Sequence, residues 1–144
     1  MRMRALPLVL AIVASVAACD SGRQVVAGSR SVIPPAVNCG DAPQFLQRVA
    51  ADRRQIGESR SDHERISVGS RANFLGTLAL IADLKCKVVL AEVDEALKPA
   101  LEAARQAESN ASVYEQTRGF HEADFLARRA VDLLIERLGA PAAK

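Results

Sequence analysis

From residue 39 to residue 144, apolar positions recur every three or four residues and no stretch sustains strict alternation. That pattern predicts helices and no strand. A first helix is expected over about 42–56, with Phe45, Leu46, Val49 and Ile56 facing inward and Gly57 and Ser59 marking its end. Asp41, with Gln44 three residues on, has the form of a capping box, and Pro43 suits a first helical turn. Ser61 and Glu64 form a second box before a helix over about 62–86. The half of this helix from Phe74 to Leu84 is apolar nearly all round, which implies burial on several sides. Asn73 and Thr77 then need hydrogen-bond partners or an edge position.

A third helix is expected over about 88–108, with Val89, Val93, Leu97, Ala100, Leu101 and Ala104 on one face. Pro99 lies inside it and lacks the N–H that would bond residue 95, so a kink or break is expected there. The last segment spans about 112–138, with Gly119 as a possible turn. Ala123, Leu126, Ala127, Ala130, Leu133, Leu134 and Leu138 follow its helical period, and Gly139 and Pro141 form a stop signal. Short connections imply antiparallel neighbours, so the expected fold is all-α, a small antiparallel bundle of about four helices.

The front of the chain reads differently. Arg2 and Arg4 precede an apolar run from Leu6 to Val16, followed by small residues and Cys19. The run is shorter than the roughly 20 apolar residues a spanning helix needs, and it has the layout of a secretory signal. Val16-Ala17-Ala18-Cys19 resembles the lipobox of bacterial lipoproteins. The resemblance implies a signal peptide over 1–18, cleavage before Cys19, and acylation of its thiol and new amino group with palmitate-type chains. It further implies a lipid-anchored protein facing the periplasm. Asp20 follows the lipidated cysteine, as in lipoproteins retained in the inner membrane, so that membrane is favoured over the outer one. Several acyl chains anchor stably where one binds marginally.

Residues 19–38 carry scattered Gly and Ser and the pair Pro34-Pro35, with no helical period. They read as a flexible tether with a root-mean-square reach of roughly 24 Å. The alternative is a segment packed along the body through Val25, Val26, Val32 and Ile33. The domain plan is therefore 1–18 signal, 19–38 lipidated N-terminus and tether, and 39–144 helical body.

The whole chain has 19 basic and 17 acidic residues. Loss of Arg2 and Arg4 leaves 17 of each, a neutral mature protein that offers no nonspecific attraction to nucleic acid. With Cys19 lipidated, Cys39 and Cys86 remain. In an oxidising periplasm they are expected to form a disulfide, since paired helices bring the start of one near the end of the other. The alternative is a buried, inert Cys86 with an exposed Cys39. No C-x-x-C spacing suggests redox activity.

Candidate chemistry is sparse. His63 lies between Asp62 and Glu64, and His121 beside Glu122, but no H-E-x-x-H or Cys/His cluster occurs. Successive helical residues diverge by about 100°, so Asp62, His63 and Glu64 do not converge on one ion. There is no C-x-x-C-H for covalent haem, no G-x-S-x-G and no phosphate-cradling glycine loop. Asp94-Glu95 and Glu122/Asp124 fit solvated faces, as do Arg53, Arg54, Arg60 and Arg65 among their acidic neighbours. No enzyme, cofactor or metal is expected.

Within 104–137, Tyr114, Gly119, Phe120, Ala123, Ala127 and Ala130, with Ala111, resemble part of one tetratricopeptide repeat. In that family a tyrosine on the first helix packs against small residues of the second. The pattern departs from the family at its leading Trp and Leu-Gly, at Ala127 and at Ile135. An alanine-rich helical hairpin explains the same spacing.

The functional expectation is a noncatalytic, membrane-anchored interaction or accessory component of an envelope assembly, such as secretion, conjugation or wall-building machinery. Its partner would be another envelope protein. The alternative is a periplasmic small-ligand or metal-sensing bundle, which requires a concave polar site or the meeting of His63 and His121.

Overall fold

The computed structural model describes residues 31–140. The signal peptide, Cys19, Asp20, the first part of the expected tether and Pro141 lie outside the described residues. Four helices follow in order: α1 (Ala42–Glu58), α2 (Asp62–Lys85), α3 (Ala91–Ser109) and α4 (Val113–Gly139). The described body is all-α, as its apolar spacing requires.

Helix α1 packs on α2, α2 on α4, and α4 on α3. Cys39, before α1, meets Cys86, after α2, while Gln55 near the end of α1 reaches Arg71 in the first half of α2. These two helices therefore run in opposite directions. Helices α3 and α4 do the same, since Ala107 near the end of α3 abuts Gly119 near the start of α4. The alternating directions of helices that follow one another put α2 and α4 the same way round. Ser67, Ser70 and Thr77 of α2 bond Gln116, His121 and Asp124 of α4 in rising order, so α2 and α4 run the same way. The fold is two helical hairpins joined through their second helices.

The core follows from this arrangement. Phe74, Leu75, Leu78 and Ile81 of α2 are fully buried because α2 has neighbours on two sides. Phe74 meets Phe120 of α4 with ring centroids 6.4 Å apart and planes tilted by 38°, within the spacing aromatic pairs favour. Helix α4 contributes a narrow stripe of Ala123, Ala127, Ala130 and Leu134. Small residues there let the helices approach closely. A Cβ placed on Gly119 would fall 2.6 Å from the Cβ of Ala107, so glycine is required at this crossing. Gly119 lies inside an unbroken helix, not at a turn, and Tyr114 is exposed.

Several expectations are corrected. Residues 31–38 do not behave as tether: they form a strap against the body, with Ile33 and Val37 buried in the common core. Glu108 accepts hydrogen bonds from the Ser31 hydroxyl and the Val32 amide. Arg105 donates to the Pro34 carbonyl and Lys85 to the Val37 carbonyl. The strap hands over to α1 through Gly40, whose φ of +94° is a left-handed conformation that glycine adopts without strain. The Asn38 amide donates to the Asp41 side chain at 2.7 Å, so that carboxylate closes the turn instead of capping α1. Ser61 likewise makes no side-chain cap on α2.

Leu46 and Leu138 face solvent, and Val89 is 94% exposed in the loop before α3. The inward stripe of α1 is Phe45, Val49 and Asp52, with Ile56 half-buried one turn on; Leu46 lies a residue off it. Pro99 does not break α3, which continues to Ser109.

Candidate functional site

Disulfide partners first. The sulfurs of Cys39 and Cys86 stand 1.96 Å apart, at bonding distance, and their Cα atoms 4.8 Å apart. Both residues are exposed at the end of the first hairpin. The link ties the strap and the start of α1 to the end of α2.

Two polar constellations lie deeper. Asp52 is a buried carboxylate on the inward stripe of α1. Arg71 of α2 grips it with two hydrogen bonds, Nε–Oδ2 at 2.9 Å and Nη2–Oδ1 at 2.6 Å. Such fork-on-fork geometry fixes both orientation and separation. The hydrogen bonds it donates to Asp52 hold the Arg71 guanidinium above its usual pKa against the opposing effect of burial. The pair clamps α1 to α2.

The second constellation is Ser70 with His121, whose Nε2 lies 3.2 Å from the Ser70 hydroxyl oxygen. A serine nucleophile must give its proton to the histidine. Here the Ser70 hydroxyl also lies 2.8 Å from the Ile66 carbonyl, to which it donates. The contact joins α2 to α4. His63 sits seven residues before Ser70 on α2, about 10 Å along the axis, so the two histidines do not converge. Among the described residues no three His, Cys, Asp or Glu side chains gather as a metal site.

Several other carboxylates are paired with basic side chains. Asp94 takes Lys85, Glu95 takes Lys98, and Arg65 bonds Asp62 together with the Ser59 carbonyl. Asp124 accepts from Thr77 at 2.5 Å and from Arg128 at 3.1 Å. No buried side-chain nitrogen or oxygen among the described residues lacks a partner.

A groove of about 630 Å³ with a largely apolar lining lies between α3 and α4. Ala96 and Pro99 form one wall, and Phe125, Leu126, Arg129 and Asp132 the other. The helices are pressed together at Gly119–Ala107, and the groove opens farther along α4. Phe125 stands at its mouth with 76% of its surface in water. Burying a phenylalanine side chain is worth about 1.5–3 kcal/mol, so this position forgoes most of that gain in the isolated chain. A smaller hollow of about 270 Å³ lies beside the disulfide, under Val89 and Leu90. Among the described residues no helix is long and apolar enough to cross a membrane.

Sequence reasoning missed Phe125, the Asp52–Arg71 clamp and the Ser70–His121 bond. Two signals were present. Asp52 falls on the three–four stripe of Phe45, Val49 and Ile56, and Phe125 falls opposite the stripe of Ala123, Ala127, Ala130 and Leu134. No protein-family model, curated protein or solved structure matches the chain.

Proposed function

We propose that the chain is a bacterial lipoprotein, acylated at Cys19, whose helical body works as a noncatalytic protein-interaction component of an envelope assembly. Its membrane contact is the lipid anchor, with Asp20 favouring the inner membrane. The body faces the oxidising periplasm, a compartment that suits an exposed disulfide. With residues 31–38 strapped to the body, eleven residues, 20–30, separate the acylated cysteine from the folded part. At about 3.5 Å per residue they hold the body within roughly 40 Å of the bilayer.

The observation that carries the reading is Phe125, a large exposed aromatic at the mouth of an apolar groove with arginines at its rim. Aromatic residues, phenylalanine among them, and arginine are enriched at protein contacts. The polar constellations support a noncatalytic role because each is consumed in joining helices.

The test is site-specific photocrosslinking in intact cells, with a photoreactive amino acid at position 125 and, for comparison, at exposed Arg53. A protein adduct from position 125 alone, weakened when Cys19→Ser releases the chain from the membrane, is the expected result. Equal adducts from both positions, or none from 125, would refute the docking face.

A further inference from the structure

We propose that the partner of the Phe125 face is a second copy of this chain, docked α4 against α4 about a two-fold axis beside residue 130. The inference rests on the reading of that face as a protein-docking surface and names its occupant.

The outward side of α4 carries Phe125, Arg128, Asp132 and Ile135, at spacings of three, four and three residues. That is the spacing of a helix–helix seam. All four are exposed, Phe125 to 76% and Ile135 to 55%. The other side of the helix is already filled by α2 and α3.

A two-fold axis crossing α4 near residue 130 runs the copies antiparallel and pairs residues whose numbers sum to 260. Phe125 then faces Ile135 of the partner subunit, and Arg128 faces Asp132 of the partner subunit. Symmetry repeats both pairs, giving two apolar contacts flanking two ion pairs of opposite sign. Such self-complementarity is what an isologous interface demands. A parallel pairing in register would instead set Arg128 on its own copy and Asp132 on its own copy, which like charges oppose. Asp132 makes no ion pair among the described residues, and Arg128 binds only Asp124 one turn away on its own helix with most of its side chain in water. Both are therefore available for the partner. The charges choose register and direction, while Phe125 and Ile135 supply the burial.

The experiment uses the intact chain isolated as the cell makes it, in detergent where it is acylated. Its mass is followed by sedimentation velocity over a wide concentration range. The expected result is a monomer–dimer equilibrium. Arg128→Glu alone places like charges at both symmetric sites and should weaken the dimer about tenfold. Adding Asp132→Arg restores opposite charges in swapped positions and should return most of the affinity. Phe125→Ser should abolish the dimer while leaving the helical circular dichroism and thermal midpoint near those of the parent, since the side chain contributes little to the core. A monomer at every concentration overturns the proposal, as does a dimer indifferent to the charge reversal. If the chain is monomeric while position 125 crosslinks to a different protein, self-pairing falls and the docking face stands; if it neither dimerises nor crosslinks, both fall.

Discussion

Opening the Cys39–Cys86 link is the perturbation whose size follows most directly from the fold. The two cysteines are 47 residues apart in sequence, and the loop they close contains the whole α1–α2 hairpin. In the chain-entropy account, closing a loop of that length removes about 4 kcal/mol of freedom from the unfolded chain. Both residues are exposed, so replacing them with serine opens no cavity and buries no polar group. The loss should therefore be nearly the loop term alone. A domain of this size has a net stability of roughly 5–15 kcal/mol, so the change takes a large fraction of it. With a urea dependence of about 2 kcal/mol/M, the midpoint of the Cys39→Ser/Cys86→Ser variant should fall by about 2 M. The assay is urea unfolding followed by far-ultraviolet circular dichroism, comparing the oxidised parent, the reduced parent and the double variant. Reduced parent and variant should coincide. A midpoint drop under about 0.5 M, or peptide mapping that finds Cys39 and Cys86 free in the unreduced protein, would refute the linked hairpin.

Three other outcomes are expected. Gly119→Ala should destabilise by about 1–3 kcal/mol through the collision with Ala107, although alanine is the better helix former; Gly76→Ala, where a Cβ meets open space, should stabilise by up to about 1 kcal/mol, and thermal unfolding of the two variants reads the opposite signs. Asp52→Ala strands a partly buried guanidinium and should cost about 2–4 kcal/mol in the same measurement, with Arg71→Met in the Asp52→Ala background recovering part of the loss. Glu102, held by Arg105 and then Gln106, should titrate below its ordinary value of 4.5 in a carboxyl-detected NMR titration; its small contribution is present above 4.5 and fades as the pH falls through the lowered pKa, and an upward shift would contradict the contacts.

The helices were legible because their ends carry strong local signals. Pro43 opens α1, Ser61 stands before Asp62 and Glu64, and Gly139 closes α4, so spacing and punctuation placed each helix within a few residues. The disulfide was legible because a hairpin brings residues 39 and 86 to one end. Three features were less legible for physical reasons. The strap entered only as the alternative to a tether, through Val32 and Ile33, because short apolar stretches among Ser and Pro carry no helical period; hydrogen bonds to Glu108, Arg105 and Lys85 fix it on the body. That α2 packs on α4 is set by which faces meet, which helix period does not determine. Val89 and Leu138 are apolar but lie beyond the packed length of their helices, whereas Asp52 is charged yet interior because Arg71 stands opposite. At the candidate site, the groove depends on where α3 and α4 separate beyond Gly119, a distance no local pattern encodes.

The central claim is that a helical body is held at a membrane through the thiol of residue 19. Intact-mass and peptide mass spectrometry of the membrane fraction tests it most directly. The account predicts a mature chain that begins at Cys19 and carries a thioether-linked diacylglycerol on its sulfur. A chain recovered from the soluble fraction with residues 1–18 still attached and an unmodified thiol would contradict it.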